Sequence, residues 1–247
     1  MLVMVSEKAL LRPFAMSLED VKRLSPSEYA ELLKCVYEMC RKEIENVFEK
    51  DPQVMELVIC DGKVIHVSKE PVSRETIERL IHERGKPCFI ISRPIPIEET
   101  TWTCLDDDYY PSIEVFLGGA EWPDEHVIEH GVSVVCDFDT GCPAYFFDER
   151  LGERLVMPPI TLEWRRGSHL NRPFIYFYRE VKIGVRDERG AVRCSRANVA
   201  FVVDWHDSPF VLINPGRVGL IGRRIMFDLD VRITLDPVRR LTVARLL

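Results

Sequence analysis

Apolar positions follow helical spacing near the N-terminus and strand alternation beyond about residue 112. The stretch "SPSEYAELLKCVYEMCRKEIENVFEKDP" opens with Ser25 as an N-cap, Pro26 at the first helical position and Glu28 placed to complete a capping box. Tyr29, Leu32, Leu33, Val36, Met39, Cys40, Val47 and Phe48 then share one helical face, and Pro52 stops the helix. A shorter helix, "SLEDVKRL", is expected before it. "MELVICDGKVIHVS" predicts two strands around Asp61-Gly62, a dipeptide suited to a two-residue hairpin loop. "SRETIERLIHERG" predicts a capped helix from Ser73 to the terminating Gly85, and "KPCFIIS" a third strand.

After these, "RPIPIEETTWTCLDDDYYPS" has no apolar period and is rich in proline and acid, as a linker is. Its Asp106 to Asp108 triplet is expected to be a solvated loop rather than a cation site. From Tyr110 onward strands dominate, including "SIEVFLGG", "VSVVCDF", "FIYFYREVKIGVRD" and "VAFVVDW", with glycine and proline turns between them. The predicted class is therefore α+β. A small ββαβ module with a long helix covers 1–98, a linker 99–111, and an all-β, closed or nearly closed domain 112–247.

Composition narrows the function classes. A net charge of −7 argues against nucleic acid as a partner, because phosphate binding needs a basic surface. No apolar run reaches membrane-spanning length. In "MLVMVSEKALLRPF", Glu7, Lys8 and Arg12 stand where a signal peptide needs its apolar core, so a cytoplasmic protein is expected. The 8 cysteines form no C-x-x-C pair, which excludes a zinc ribbon and predicts reduced, mostly buried thiols. One glutamine, Gln53, and few asparagines fit a thermophilic source.

"VSVVCDFDTGCPAYFF", residues 132 to 147, raises a specific question. A buried strand has no cheap place for a carboxylate, yet this one carries Asp137 and Asp139 on one face. Thr140 and Gly141 let the chain turn sharply, so that a hydroxyl and a backbone N–H can point back at Asp139. Asp137 is expected to be a surface or ion-paired neighbour.

An apolar strand followed by Asp139-Thr140-Gly141 resembles the catalytic loop of aspartic peptidases. Downstream, Leu220, Ile221, Gly222 and Arg223 resemble the apolar-apolar-Gly-Arg stretch that closes the retropepsin-like domain. The resemblance covers about residues 112 to 236 and implies an acid protease barrel. It also implies a glycine-bearing flap, for which "LEWRRGSHLNRPFIYF" matches best, with Gly167 and Ser168 at its tip. Separately, Gly62, Lys63, Val64, Ile65 and Pro94 resemble short archaeal α/β modules of unknown function.

The chain holds one D-T-G triplet and no D-S-G, so a retropepsin-like site needs a second copy across a two-fold axis. Carboxylates about 3 Å apart repel by roughly 5 kcal/mol at an effective dielectric near 20, so they share one proton. The charged form acts as general base on water while the protonated partner polarises the scissile carbonyl of a polypeptide substrate. The resemblance implies a homodimeric endopeptidase with no metal and no cofactor. This chain departs from the family pattern at Cys142, Pro143 and Arg224, and Arg223 is expected to pair with Asp148 or Glu149 instead of the usual acid. Those departures leave open a non-catalytic binding or dimerisation module. His126, Glu129 and His130 have the H-x-x-E-H spacing of a zinc hydrolase, but Pro123 and Gly131 leave only a one-turn connector. Gly216, Gly219 and Gly222 lack the βαβ setting of a phosphate loop.

Overall fold

Secondary structure is described in the computed structural model for residues 12–94, 111–155, 159–236, 238–239 and 241–247. Residues 99–110 of the expected linker, including Asp106 to Asp108, lie outside these. The fold is mixed α and β, with a six-stranded barrel. Chain order runs α1 (Leu18–Lys22), α2 (Pro26–Lys50), β1 (Glu56–Cys60), β2 (Lys63–Ser68), α3 (Arg74–Arg84) and β3 (Cys88–Ser92). Next come β4 (Ser112–Gly119), α4 (Asp124–His130), β5 (Val132–Asp139), β6 (Tyr145–Asp148) and α5 (Glu149–Glu153). The remainder is β7 (Arg165–His169), β8 (Arg172–Arg186), β9 (Val192–Val202), β10 (Gly219–Gly222), α6 (Arg224–Asp228), β11 (Val231–Asp236) and β12 (Leu241–Leu246).

The chain divides into two compact units, Met1–Pro94 with Pro159–Phe177, and Ile95–Pro158 with Tyr178–Leu247. In the first unit α2 begins with the capping box, Ser25 Oγ accepting from Glu28 N at 3.3 Å and Glu28 accepting from Ser25 N at 2.8 Å. Tyr29, Leu32, Leu33, Val36, Cys40 and Ile44 are its buried stripe. Met39, predicted on that stripe, is 60% exposed. β1 is central in the sheet order β2-β1-β3 and is buried along its whole length. Asp61 (φ 53°) and Gly62 (φ 75°) make the β1–β2 turn, where only left-handed backbone closes a two-residue loop. Cys60 and Cys88 face each other across β1 and β3, with Cα atoms 4.4 Å apart, and form a disulfide. This differs from the reduced thiols expected for this pair. Sequence spacing cannot show that two distant cysteines meet in register.

The hairpin β7–β8 also differs from expectation. Arg165 to His169 pair with Arg172 to Tyr176, and this stretch belongs to the first unit instead of the second. Its turn is Leu170-Asn171, both at positive φ (49° and 59°), not Gly167-Ser168. Gly167 stays within β7, where an added Cβ would lie 2.3 Å from the Phe174 ring.

In the second unit the strands follow the order β4-β5-β10-β6-β9-β8, and a β4–β8 pairing closes the ring. Val115, Leu117, Phe146, Phe147, Ile183, Val199, Phe201, Leu220 and Ile221 are among its buried side chains. β11 and β12 form a separate hairpin. Among the described residues no helix is long and apolar enough to cross a membrane.

Candidate active site

The strand β5 alternates buried and exposed positions until Cys136 and is then buried through Asp139. Asp139 ends it, 7% exposed. Its Oδ1 accepts a hydrogen bond from Gly141 N at 2.8 Å, and its backbone carbonyl accepts from Cys142 N at 3.2 Å. A carboxylate that accepts from the backbone of its own turn is held rigidly in place.

The turn is clamped from β10, which lies parallel to β5 with Gly222 opposite Asp139, and antiparallel to β6. Gly222 N donates to Ala144 O at 2.9 Å and Arg223 N to Cys142 O at 2.8 Å. A Cβ on Gly222 would stand 2.2 Å from Cys142 O and 2.6 Å from Ala144 O, both backbone atoms that cannot swing aside. The Arg223 guanidinium donates to Thr140 O at 3.0 Å and Gly141 O at 3.2 Å. Asp139, Thr140, Gly141, Gly222 and Arg223 are thus brought together in the second unit. Gly222→Ala is expected to destabilise that unit by about 3 kcal/mol, the upper range for overpacking, seen as a lower urea midpoint with unchanged slope.

The partner expected for Arg223 is a correction. Asp148 is taken by Arg150, whose Nε lies 3.0 and 2.9 Å from its two carboxylate oxygens. Glu149 accepts from Asp204 N at 2.8 Å, and burial raises its pKa despite that bond. Arg223 bonds the turn carbonyls of Thr140 and Gly141 instead. Arg224 bonds Asp228 at 3.1 Å, and Asp228 accepts from the Tyr145 hydroxyl at 2.8 Å. Burial first, then that bond, pushes the Tyr145 pKa far above the ordinary phenol value.

Asp137 is ion-paired. Arg217 Nε lies 2.7 Å from Oδ2, and Asn214 Nδ2 donates to both oxygens at 3.1 and 2.9 Å. Arg217 also donates to Phe210 O at 3.1 Å, and its own carbonyl accepts from Trp205 Nε1 at 2.7 Å. Two acids two residues apart therefore have different roles: Asp137 is neutralised by a buried cation, and Asp139 caps its own turn. Asn214 and Arg217 were not singled out by sequence. Their only signal is an N-P-G-R turn ahead of the closing strand.

Gly167 and Ser168 lie in the first unit, apart in the chain's division from the Asp139 turn. His169 beside them is buried. The rings of His126 and His130 lie 4.5 Å apart between centroids on α4, tilted by 53°, with the Trp122 ring edge-on to His126 at 4.6 Å. Among the described residues no group of three or more His, Cys, Asp or Glu side chains is arranged to hold a metal ion. No protein-family model and no curated protein matches the chain.

Proposed function

We propose that the second unit is a retropepsin-like aspartic endopeptidase that works as a homodimer, with Asp139 of each copy forming the dyad. The observation that carries this reading is the Asp139 carboxylate at the end of a buried strand, accepting from Gly141 N at 2.8 Å in a turn clamped by Gly222 and Arg223. Two such carboxylates across a two-fold axis share one proton, activate water and polarise a peptide carbonyl. The substrate is an extended polypeptide held through backbone hydrogen bonds. Thr140 and Gly141 position the acid, and Gly222 and Arg223 support the turn. Gly167 and Ser168 were expected at the tip of a substrate-covering flap, and the turn of their hairpin lies at Leu170-Asn171. The β1–β2–α3–β3 run of the first unit corresponds in this proposal to the small archaeal-type module.

One observation favours a second reading, a non-catalytic binding or dimerisation barrel. Asp139 is only 7% exposed in the single chain, which leaves little carboxylate surface for a symmetry mate. Light scattering together with casein cleavage from pH 4 to 7, with and without pepstatin, separates the two. The endopeptidase reading expects a dimer and pepstatin-sensitive cleavage. A well-folded dimer without cleavage favours the binding barrel, and a strict monomer removes the dyad altogether. Loss of cleavage with chelator alone points to His126 and His130.

A further inference from the structure

We propose that the first unit carries a binding pocket for a small amphipathic monocarboxylate, independent of the Asp139 turn. A cavity of about 310 Å³ opens between α2, the end of β3 and the strand β7. That is the small end of the range for ligand sites. Its apolar wall is Leu33, Ile90 and Ile91, all buried, with the half-buried ring of Tyr37 beside them.

The polar lining is unbalanced toward positive charge. Arg166 lines the cavity from β7, and its Nε is buried with no hydrogen-bond partner. A buried N–H left in that state is costly, since that donor has lost water and gained nothing. Lys34 pairs among the described residues with Glu31 at 3.9 Å, both side chains more than half exposed, a contact worth little. Among the described residues Glu38 is the single acid of the lining, and it is already held by Arg41 at 2.6 Å. Two cations against one neutralised acid fit one negative charge. A planar carboxylate matches the guanidinium fork, and a hydrocarbon body matches the isoleucine and leucine wall.

The test is NMR titration of the full chain, labelled at Ile and Leu methyls, with hexanoate, hexanol, hexylammonium and hexyl phosphate. Saturable shifts at Leu33, Ile90 and Ile91 are expected with hexanoate. Hexanol and hexylammonium should bind at least about tenfold more weakly, the loss of one charge-assisted pair. Arg166→Gln should weaken hexanoate by about tenfold or more, with Arg166→Lys in between, because an ammonium keeps the charge but not the fork. Lys34→Gln, at an exposed position, should weaken it about two- to threefold. Equal binding of hexanol, tighter binding of hexyl phosphate, shifts at other methyls, or a folded Arg166→Gln with unchanged affinity would each overturn the assignment. Casein cleavage by the Arg166 variants should equal that of the unaltered chain, so failure here and failure of the peptidase reading are distinguishable.

Discussion

Asp139→Asn is expected to lower peptide cleavage by about 10⁴-fold while leaving the second unit folded, because general acid–base catalysis of this kind contributes up to that factor. Asparagine keeps an oxygen where Oδ1 now accepts from Gly141 N at 2.8 Å, so the turn retains its bond. It cannot hold or release the shared proton, and a dyad made of two amides has neither base nor acid. The symmetry makes a sharper test than the substitution alone. Mixing equal amounts of unaltered and Asp139→Asn chains, with free subunit exchange, leaves about one quarter of the dimers with two carboxylates. Activity per total protein should then fall to about a quarter of the unaltered value, whereas chains acting singly would retain about a half. A mixing curve that is linear in the unaltered fraction sinks the shared-site mechanism, and undiminished cleavage by the variant removes Asp139 from the chemistry.

What could be seen in the sequence was local. Ser25, Pro26 and Glu28 announce α2 because a cap is made within four residues, and Asp61-Gly62 announces a hairpin because only left-handed backbone closes so short a loop. The Asp139 turn and Gly222 were legible for the same reason, each being a short run with a steric or hydrogen-bonding demand of its own. The features that escaped depend on distant partners. Asp137 finds its cation 80 positions away in Arg217, and the opposed Cys60 and Cys88 are 28 apart. Gly167-Ser168 looks like a turn from composition, yet the Phe174 ring fills the space beside Gly167 and the chain turns three residues later. Met39 has the right helical phase and still faces solvent, since phase alone does not say how wide the covered stripe is.

The same distance dependence explains why residues 159–177 belong to the first unit, and it leads to the largest stability effect expected. Arg165 is 2% exposed and lies against Glu56 of β1, 109 positions away, with Nε 2.5 Å from Oε1 and Nη2 3.0 Å from Oε2. Its remaining donors reach Glu163 O at 2.6 Å and Val72 O at 3.0 Å. Glu56 in turn accepts from Val72 N at 2.6 Å and from the Ser92 hydroxyl at 3.0 Å. One buried pair thus joins β1, the lead into α3, the end of β3 and the start of β7. Arg165→Met removes the cation but leaves the carboxylate buried, and breaking such a pair from one side costs about 3–5 kcal/mol. Urea denaturation of the first unit should show that loss. Limited proteolysis should find the Leu170-Asn171 turn cut faster, because the segment's anchor is gone. Adding Glu56→Gln should recover much of the deficit, since an amide keeps an acceptor for Val72 N without a buried unpaired charge. A single variant costing under about 1 kcal/mol would place this contact among ordinary surface pairs, and the membership of the hairpin would then rest on the apolar packing of Phe174, Ile175 and Tyr176 instead.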